Sequence, residues 1–493
     1  MRHAALLSLV LPLAFLPAIT FAQKTVAPLV GVAVGSLADD DTAKTEPKSD
    51  QSDAKESSTY VYRGYAWARK NDTDKAIADF NEAIRRDPKS SAAYVGRGWV
   101  RDLKREYDKA IADYDEAIRI NPKDVTAYVG RGRAFGSKGQ HEKAISDFSE
   151  AVRINPKYAP GYENRGYVWA LKRDHDKAIR DYDEALRRDP KNAFTLAHRA
   201  MERAALGDYD KAIVDYDEAI RLDPKESRCY VGRGAAWARK GQHDKAISDL
   251  DEAIRLDPRS ASALEFRGYA WAMLQKHDKA IRDYDEALRL DPKNAITFAN
   301  RGSAHGASGD YDKAIADFDE AIRLNPELRS AYTARGRAWS EKKDYDKAIA
   351  DFSKAIPSDS KDASAIRSRA DVMAAAQRYD RAIADYKEAL RIDPKDADAH
   401  NKLAWIYATC PDAKLRDGKQ AVEHSTKACE IAGWKSAGWL DTLAAANAES
   451  GDFDAAIKWQ TKARDLVPED AQADYQSRID LYKAHKPYHE PPK

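Results

Sequence analysis

Sulfur is scarce in this sequence: three cysteines among 493 residues, with no Cys-x-x-Cys pair. An odd count leaves at least one thiol without an internal partner. Cys410 closes one helical pattern and Cys429 lies about three turns into the next, roughly 15–18 Å along the axis, whereas a disulfide needs Cα atoms within about 7 Å. No bridge is expected. An excess of one charge is also missing, since 82 basic residues against 81 acidic leave a net charge of +1. That balance excludes the basic surplus of a nucleic-acid binder. Beyond the first 22 residues no apolar run approaches membrane-spanning length. There is no His-Glu-x-x-His and no strand–turn–helix nucleophile motif. Gly130-Arg131-Gly132-Arg133-Ala134-Phe135-Gly136 has the wrong spacing for a phosphate loop and falls inside a helical pattern. The expectation is therefore a chain with no enzyme activity, no cofactor and no metal.

The N-terminus differs from the rest. Arg2 and His3 precede an apolar run from Ala4 to about Ile19, and Thr20-Phe21-Ala22 offers a small-residue cleavage site. Residues 1–22 read as a secretory signal peptide, with an uncleaved anchor as the alternative. The expected location is exported, in a bacterial periplasm or outside the cell. No cysteine at the junction argues against a lipoprotein. Residues 23–56 then read as a flexible linker, because Ala38–Ser58 is Asp, Lys, Ser, Thr and Glu with almost nothing to bury.

From Ser57 the sequence keeps a beat. Pro88, Pro122, Pro156, Pro190, Pro224, Pro258, Pro292 and Pro326 fall 34 residues apart, and Pro394 follows after one omission. Such a period signals a repeat array, in which length adds units rather than domains. With Ser57 as position 1, each unit carries two helical patterns. The first has large apolar residues at positions 4 and 11 and a small one at 8, as in Tyr60, Trp67 and Gly64. The second begins after a capping residue at position 16, such as Asp72 or Asp208, often preceded by glycine. It continues Ala-aromatic-Ala at positions 20, 24 and 27, as in Ala212, Tyr216 and Ala219. These share one face. Proline at position 32 prevents continuation of the helix.

This pattern resembles the tetratricopeptide repeat (TPR) family, with its large–small–large, Ala-aromatic-Ala and proline positions. The resemblance runs over residues 57–470: ten regular units in 57–396 and two variant units in 397–470. It implies an all-α fold, a right-handed superhelical solenoid of about twelve helix-turn-helix units. The variant stretch inserts about six residues around Cys410–Gly418. Residues 471–493 read as a capping helix and tail, as solenoid ends require.

Position 7 departs from the family, which places a large apolar residue there. It is arginine in ten units, and the same ten carry aspartate at position 23. Both vanish together where Leu403 and Leu443 meet His424 and Trp459. Antiparallel helices bring these positions level, so a structural ladder is expected, represented by Arg199 with Asp215 and Arg233 with Asp249. A rival pairs Lys at position 19 with the same aspartate, and the functional alternative is an anion-binding groove. Histidines at position 17 (His141, His175, His243, His277) alternate with tyrosine and read as packed rings rather than metal ligands.

The resemblance implies that the first helices line a concave groove through positions 2, 5, 6, 9 and 12. These slots vary here while the frame does not. Exposed aromatics and arginines there are expected to bind protein or peptide segments: Tyr62, Tyr65, Trp99, Arg133, Tyr167, Phe194, His198, Tyr269 and Arg337. The alternative for each is a wedge between successive first helices. Position 5 reads Val61, Val95, Val129, Glu163, Ala197 and Val231, which departs from the lysine that some relatives use to clamp a terminal carboxylate. The function expected is a non-catalytic, exported interaction scaffold with no nucleic-acid partner and no membrane contact beyond the signal. The alternative is a self-associating structural or assembly protein of the cell envelope, with an enzyme built on the Cys410–Gly418 loop as a third class.

Overall fold

The computed structural model describes residues 49–357 and 360–491, with side chains from residue 55 onward. The signal segment, and the linker as far as residue 48, lie outside the described residues. Among the described residues there are 25 α-helices, one short 3-10 turn and no strand. They form two compact bodies, one ending at Leu274 and the other starting at Gln275. Within each body, successive helices pack as antiparallel hairpins in chain order. The first helix, Ser49–Arg69, starts before the repeat frame, which corrects the expectation of a flexible linker reaching residue 56. The extra turns have partners: Arg86 pairs with Glu56, and the Ser57 hydroxyl donates to the Ala83 carbonyl at 2.9 Å.

Each hairpin consists of a helix A of about 13 residues and a helix B of about 14, such as Ser227–Arg239 and His243–Leu256. Asp72, Asp174, Asp208, Asp310, Asp344 and Asp452 cap their B helices by accepting from a first-turn amide. Position 34 does the same for the A helices through residues such as Ser90, Asp124, Asn192 and Asp396. The residue before the helix-B cap is left-handed in every hairpin but the one formed by Ala397–Thr409 and Gly418–Ile431. Glycine supplies it at Gly207 (φ 82°), but Asn71, Arg105, Arg173 and Lys343 also adopt φ near 60°. There the hairpin geometry overrides the side chain's preference, at about 1 kcal/mol each. The omitted proline also has an explanation: Pro357 arrives three positions early, and that helix B, Tyr345–Ala355, is shorter than its neighbours.

The position-24 aromatic fills each hairpin. Phe80 is fully buried between alanines Ala76 and Ala83. It is covered on one side by Gly64 of its own unit and on the other by Gly96 of the next. A Cβ on Gly96 would come within 2.3 Å of the Phe80 ring, and one on Gly232 within 2.4 Å of Tyr216. Glycine at these positions is a packing requirement imposed by the preceding unit's aromatic.

The position-7 arginines carry two sets of bonds. Within its unit, Arg233 donates from Nε to Asp249 Oδ2 at 2.8 Å and from Nη2 to Oδ1 at 2.7 Å. Arg199 meets Asp215 in the same bidentate way, at 2.9 and 2.6 Å. The remaining Nη1 reaches back one unit to position 25: Arg233 to Asp217 at 2.6 Å, Arg199 to Asp183 at 2.7 Å, Arg97 to Asn81 at 2.6 Å and Arg165 to Ser149 at 3.1 Å. The guanidinium thus joins the two helices of a hairpin and also joins that hairpin to the one before. The expected rival contact gives way to another: Lys211 bonds the cap Asp208 at 2.7 Å, as Lys177 does Asp174. Donating to Asp147 raises the Arg131 pKa, yet burial still holds Asp147 above the ordinary carboxylate range, outweighing Arg131. Such pairs add little net stability when whole, but losing one partner strands a buried charge.

Replacing Arg233 with Leu or Asp249 with Asn singly is expected to cost about 3 kcal/mol. The double variant should cost at least about 1 kcal/mol less than the sum, which urea denaturation of all four proteins measures. Gly232→Ala is expected to destabilise by about 1–3 kcal/mol through overpacking against Tyr216. A Tyr216→Leu background should relieve part of that cost, and calorimetry on the pair checks it.

Candidate protein-binding surface

The expected groove residues occupy a different environment from the one foreseen. Tyr65, Trp99, Arg133, Tyr167, His198 and Tyr269 are all at most 9% exposed. Phe194 and Arg337 are half-buried, and Tyr62 alone of the nine is exposed, at 40%. The expectation that these side chains are exposed is therefore corrected. Position 6 faces the position-24 aromatic of the preceding unit, so His198 lies 6.0 Å from Tyr182. Tyr62 belongs to the first unit, and no preceding position-24 aromatic lies among the described residues. Position 9 wedges between neighbouring A helices: Tyr65 packs edge-on to Phe80 at 5.1 Å and lies 6.0 Å from Trp99.

Buried polar groups accompany those aromatics. Arg133 Nη2 lies 3.5 Å from Asp102 Oδ2 of the preceding unit, and burial pushes the Asp102 pKa up. Glu163 accepts from Thr195 at 2.6 Å and from Asn192 at 2.9 Å. His198 Nδ1 donates to the Phe194 carbonyl at 3.0 Å, under rings of Phe194 and Tyr167. Burial depresses its pKa to about 4. His175 Nδ1 sits 2.5 Å from Glu202, while His141, His243 and His277 keep Nδ1 buried. No group of three metal-ligating side chains occurs among the described residues. The three cysteines are buried and unbridged. Burial raises the Cys410 thiol pKa, the opposite of what a nucleophile requires.

In the body starting at Gln275, three A helices are more open at these positions. Thr333, Arg337, Arg367, Asp371 and Trp405, at positions 5 and 9 of three successive A helices, are all half-exposed. Beside Trp405 this side is already occupied. After the last described helix, Gln472–Lys483, the chain turns back and runs on through residues 486–491 without helix or turn. The Glu490 amide donates to the Thr409 carbonyl at 2.8 Å. Its carboxylate accepts from Trp405 Nε1 at 2.7 Å and from the Tyr379 hydroxyl at 3.5 Å. His489 Nε2 lies 2.7 Å from Glu449, whose other oxygen accepts from Arg416 Nε at 3.0 Å. Arg478 lies over the rings of Tyr488 and Trp405. Here the inserted residues acquire a use: helix Ala397–Thr409 stops at Cys410, and Arg416 bonds the Cys410 carbonyl at 2.8 Å. The sequence signals were the insertion, a tryptophan at position 9 and a tail combining Tyr, His and Glu, but none of these stands in the repeat frame.

A family model described as "Tetratricopeptide repeat" matches residues 63–125, 129–193, 199–259, 239–295 and 300–363, and one described as "TPR repeat" matches 370–409. The chain belongs to the tetratricopeptide repeat family. Its fold is the all-α TPR solenoid, a class of protein-interaction scaffold that is generally non-catalytic. No curated protein sequence matches the chain. Among solved structures it is similar to YrrB, titled a TPR protein with an unusual peptide-binding site, at 22% identity over 37% of this chain and 95% of that one, TM-score 0.34. It is also similar to a TPR protein from Parabacteroides merdae, at 18% identity over 51% and 99%, TM-score 0.40. Cut9–Hcn1 of the APC/C follows at 14% identity over 79% and 90%, TM-score 0.44. As in TPR proteins generally, the binding class is peptide or protein. No helix among the described residues is long and apolar enough to cross a membrane.

The buried imidazole gives a pH test. A folded pKa of about 4 for His198, below its ordinary 6.5, means that the fold prefers the neutral ring. Its contribution is fully present above pH 6.5 and is lost as pH falls toward 4, a loss of about 3 kcal/mol at about 1.4 kcal/mol per pH unit. NMR titration of the His198 imidazole should give a midpoint near 4. In His198→Phe, the destabilisation between pH 6.5 and 4 should shrink.

Proposed function

We propose that this TPR protein is an exported, non-catalytic scaffold that binds extended polypeptide segments along the concave side of its A helices. The observation that carries the reading is the course of residues 485–491. A non-helical stretch of polypeptide lies against helix Ala397–Thr409, bonded through both its backbone and its side chains. One main-chain bond to Thr409 and the Glu490 side-chain bonds to Trp405 and Tyr379 fix its register there. The half-buried Arg337, Arg367 and Asp371 continue the same side toward earlier units, where Arg367 pairs with Asp396 at 2.9 Å and Asp371 accepts from the Tyr386 hydroxyl at 2.6 Å. Export rests on the character of residues 1–22, a basic start, an apolar run and a small-residue junction.

A photo-crosslinking residue placed at Arg337 or Thr333 in the full chain, expressed in its native host, is expected to capture a polypeptide. The same residue at Ala350, exposed on helix Tyr345–Ala355, should capture little. Equal labelling at all three sites would overturn the groove. Products twice the chain's mass would instead identify self-association. Sequencing the N-terminus of the purified protein should begin after residue 22; an intact Met1 would reject cleavage.

A further inference from the structure

Resting on the groove reading above, we propose that residues 485–491 are a displaceable occupant, and that the partner of this site is an extended segment presenting a carboxylate side chain where Glu490 lies. The tail would then set the threshold a partner must exceed.

Three features make this a built site. The first is a carbonyl left for a visiting amide. Helix Ala397–Thr409 ends with Cys410 at φ −55°, ψ 134°, not through the left-handed turn that closes other A helices. The inserted residues lead away, and the Thr409 carbonyl accepts the Glu490 amide. Orphan carbonyls at a helix end need such a partner. The second is the Trp405 indole, which can only donate and is aimed at Glu490 Oε1 at 2.7 Å. A carboxylate satisfies it better than a neutral acceptor. The third is the ring-and-guanidinium shelf formed by Trp405 and Arg478, on which Tyr488 rests two residues earlier. The ligand chemistry is therefore an aromatic followed at the second position by an acidic residue, in non-helical backbone.

The occupant is held locally. Residues 487–490 are half-buried and Pro491 is exposed, and Tyr488 rests on the cluster of Ala444, Ala448, Ala456 and Tyr482, so release uncovers that one patch. The last described helix ends at Lys483, a few residues away. A tether that short gives an effective concentration in the millimolar range. A free segment of equal intrinsic affinity is excluded until the tail is outcompeted or removed.

The test uses a fluorescein-labelled peptide of residues 485–493 as probe, with anisotropy as readout. The proteins are the full chain and the same chain stopped after Ala484. The truncated protein is expected to bind the peptide at least about tenfold more tightly than the full chain. A Glu490→Gln peptide, or Trp405→Phe in the truncated protein, should lose about tenfold in affinity. Should truncation lower the circular-dichroism helicity, the full-length Tyr488→Ala, Glu490→Gln variant replaces it. Absence of peptide binding to a helical, tail-released protein overturns the proposal, as does equal binding to tail-released and full-length chains. Failure here, with crosslinking at Arg337 intact, removes the tail site and leaves the scaffold reading standing; the converse pattern removes the scaffold reading alone.

Discussion

Everything regular in this protein depends on a guanidinium that faces two ways. The fork of Arg199 closes its own hairpin through Asp215, and its remaining nitrogen holds Asp183 of the hairpin before. A leucine at that place could fill space within one unit but could not select a partner in the next. The arginine converts a contact between hairpins, otherwise set by shape, into one set by direction, because the planar fork fixes both bonds at once. The cost is desolvation of the carboxylate, visible in the raised pKa of Asp147. The array tolerates that cost because the aromatic at position 24 and its flanking alanines supply the burial.

Much of this was legible in the sequence because repetition separates frame from content. The caps, the Ala-aromatic-Ala seam and the pairing of position 7 with position 23 each recur, and a recurring pair constrains geometry even without coordinates. The second bond of each arginine was hidden because its acceptor varies among Asp183, Asn81 and Ser149, which share only an oxygen. The groove was misjudged for a related reason. Variation at positions 6 and 9 looked like freedom from the frame, but those side chains pack on neighbouring units, where Trp99, His198 and Tyr269 are buried. Seen as one unit they point outward; in the stack they are interior. Tyr62 shows the difference: it is exposed, and among the described residues no unit precedes it.

The two variant units obey other rules. Where the ladder ends, flat rings take over: His424 stacks on Tyr407, and Trp459 on Trp434 with centroids 5.1 Å apart. The insertion bends away from helix Ala397–Thr409 and brings Arg416 against Glu449, so a stretch that breaks the period gains contacts that no regular unit has. Arg478 reaches from the last helix to Asp441 and to the aromatic shelf. Irregularity is concentrated here, and so is the tail.

The backward bond from position 7 to position 25 makes the regular units interchangeable parts. Each of the first nine offers a guanidinium to the unit before and an oxygen to the unit after, so excising or duplicating a whole 34-residue module among them rejoins matching ends. A module one residue longer or shorter would not. Leu403 and Leu443 lack the guanidinium, so the variant units cannot be shuffled into the interior without leaving a carboxylate or hydroxyl unanswered. A lineage carrying this chain could lengthen or shorten its reach by copying genes in phase, while the end bearing the tail stays where it is.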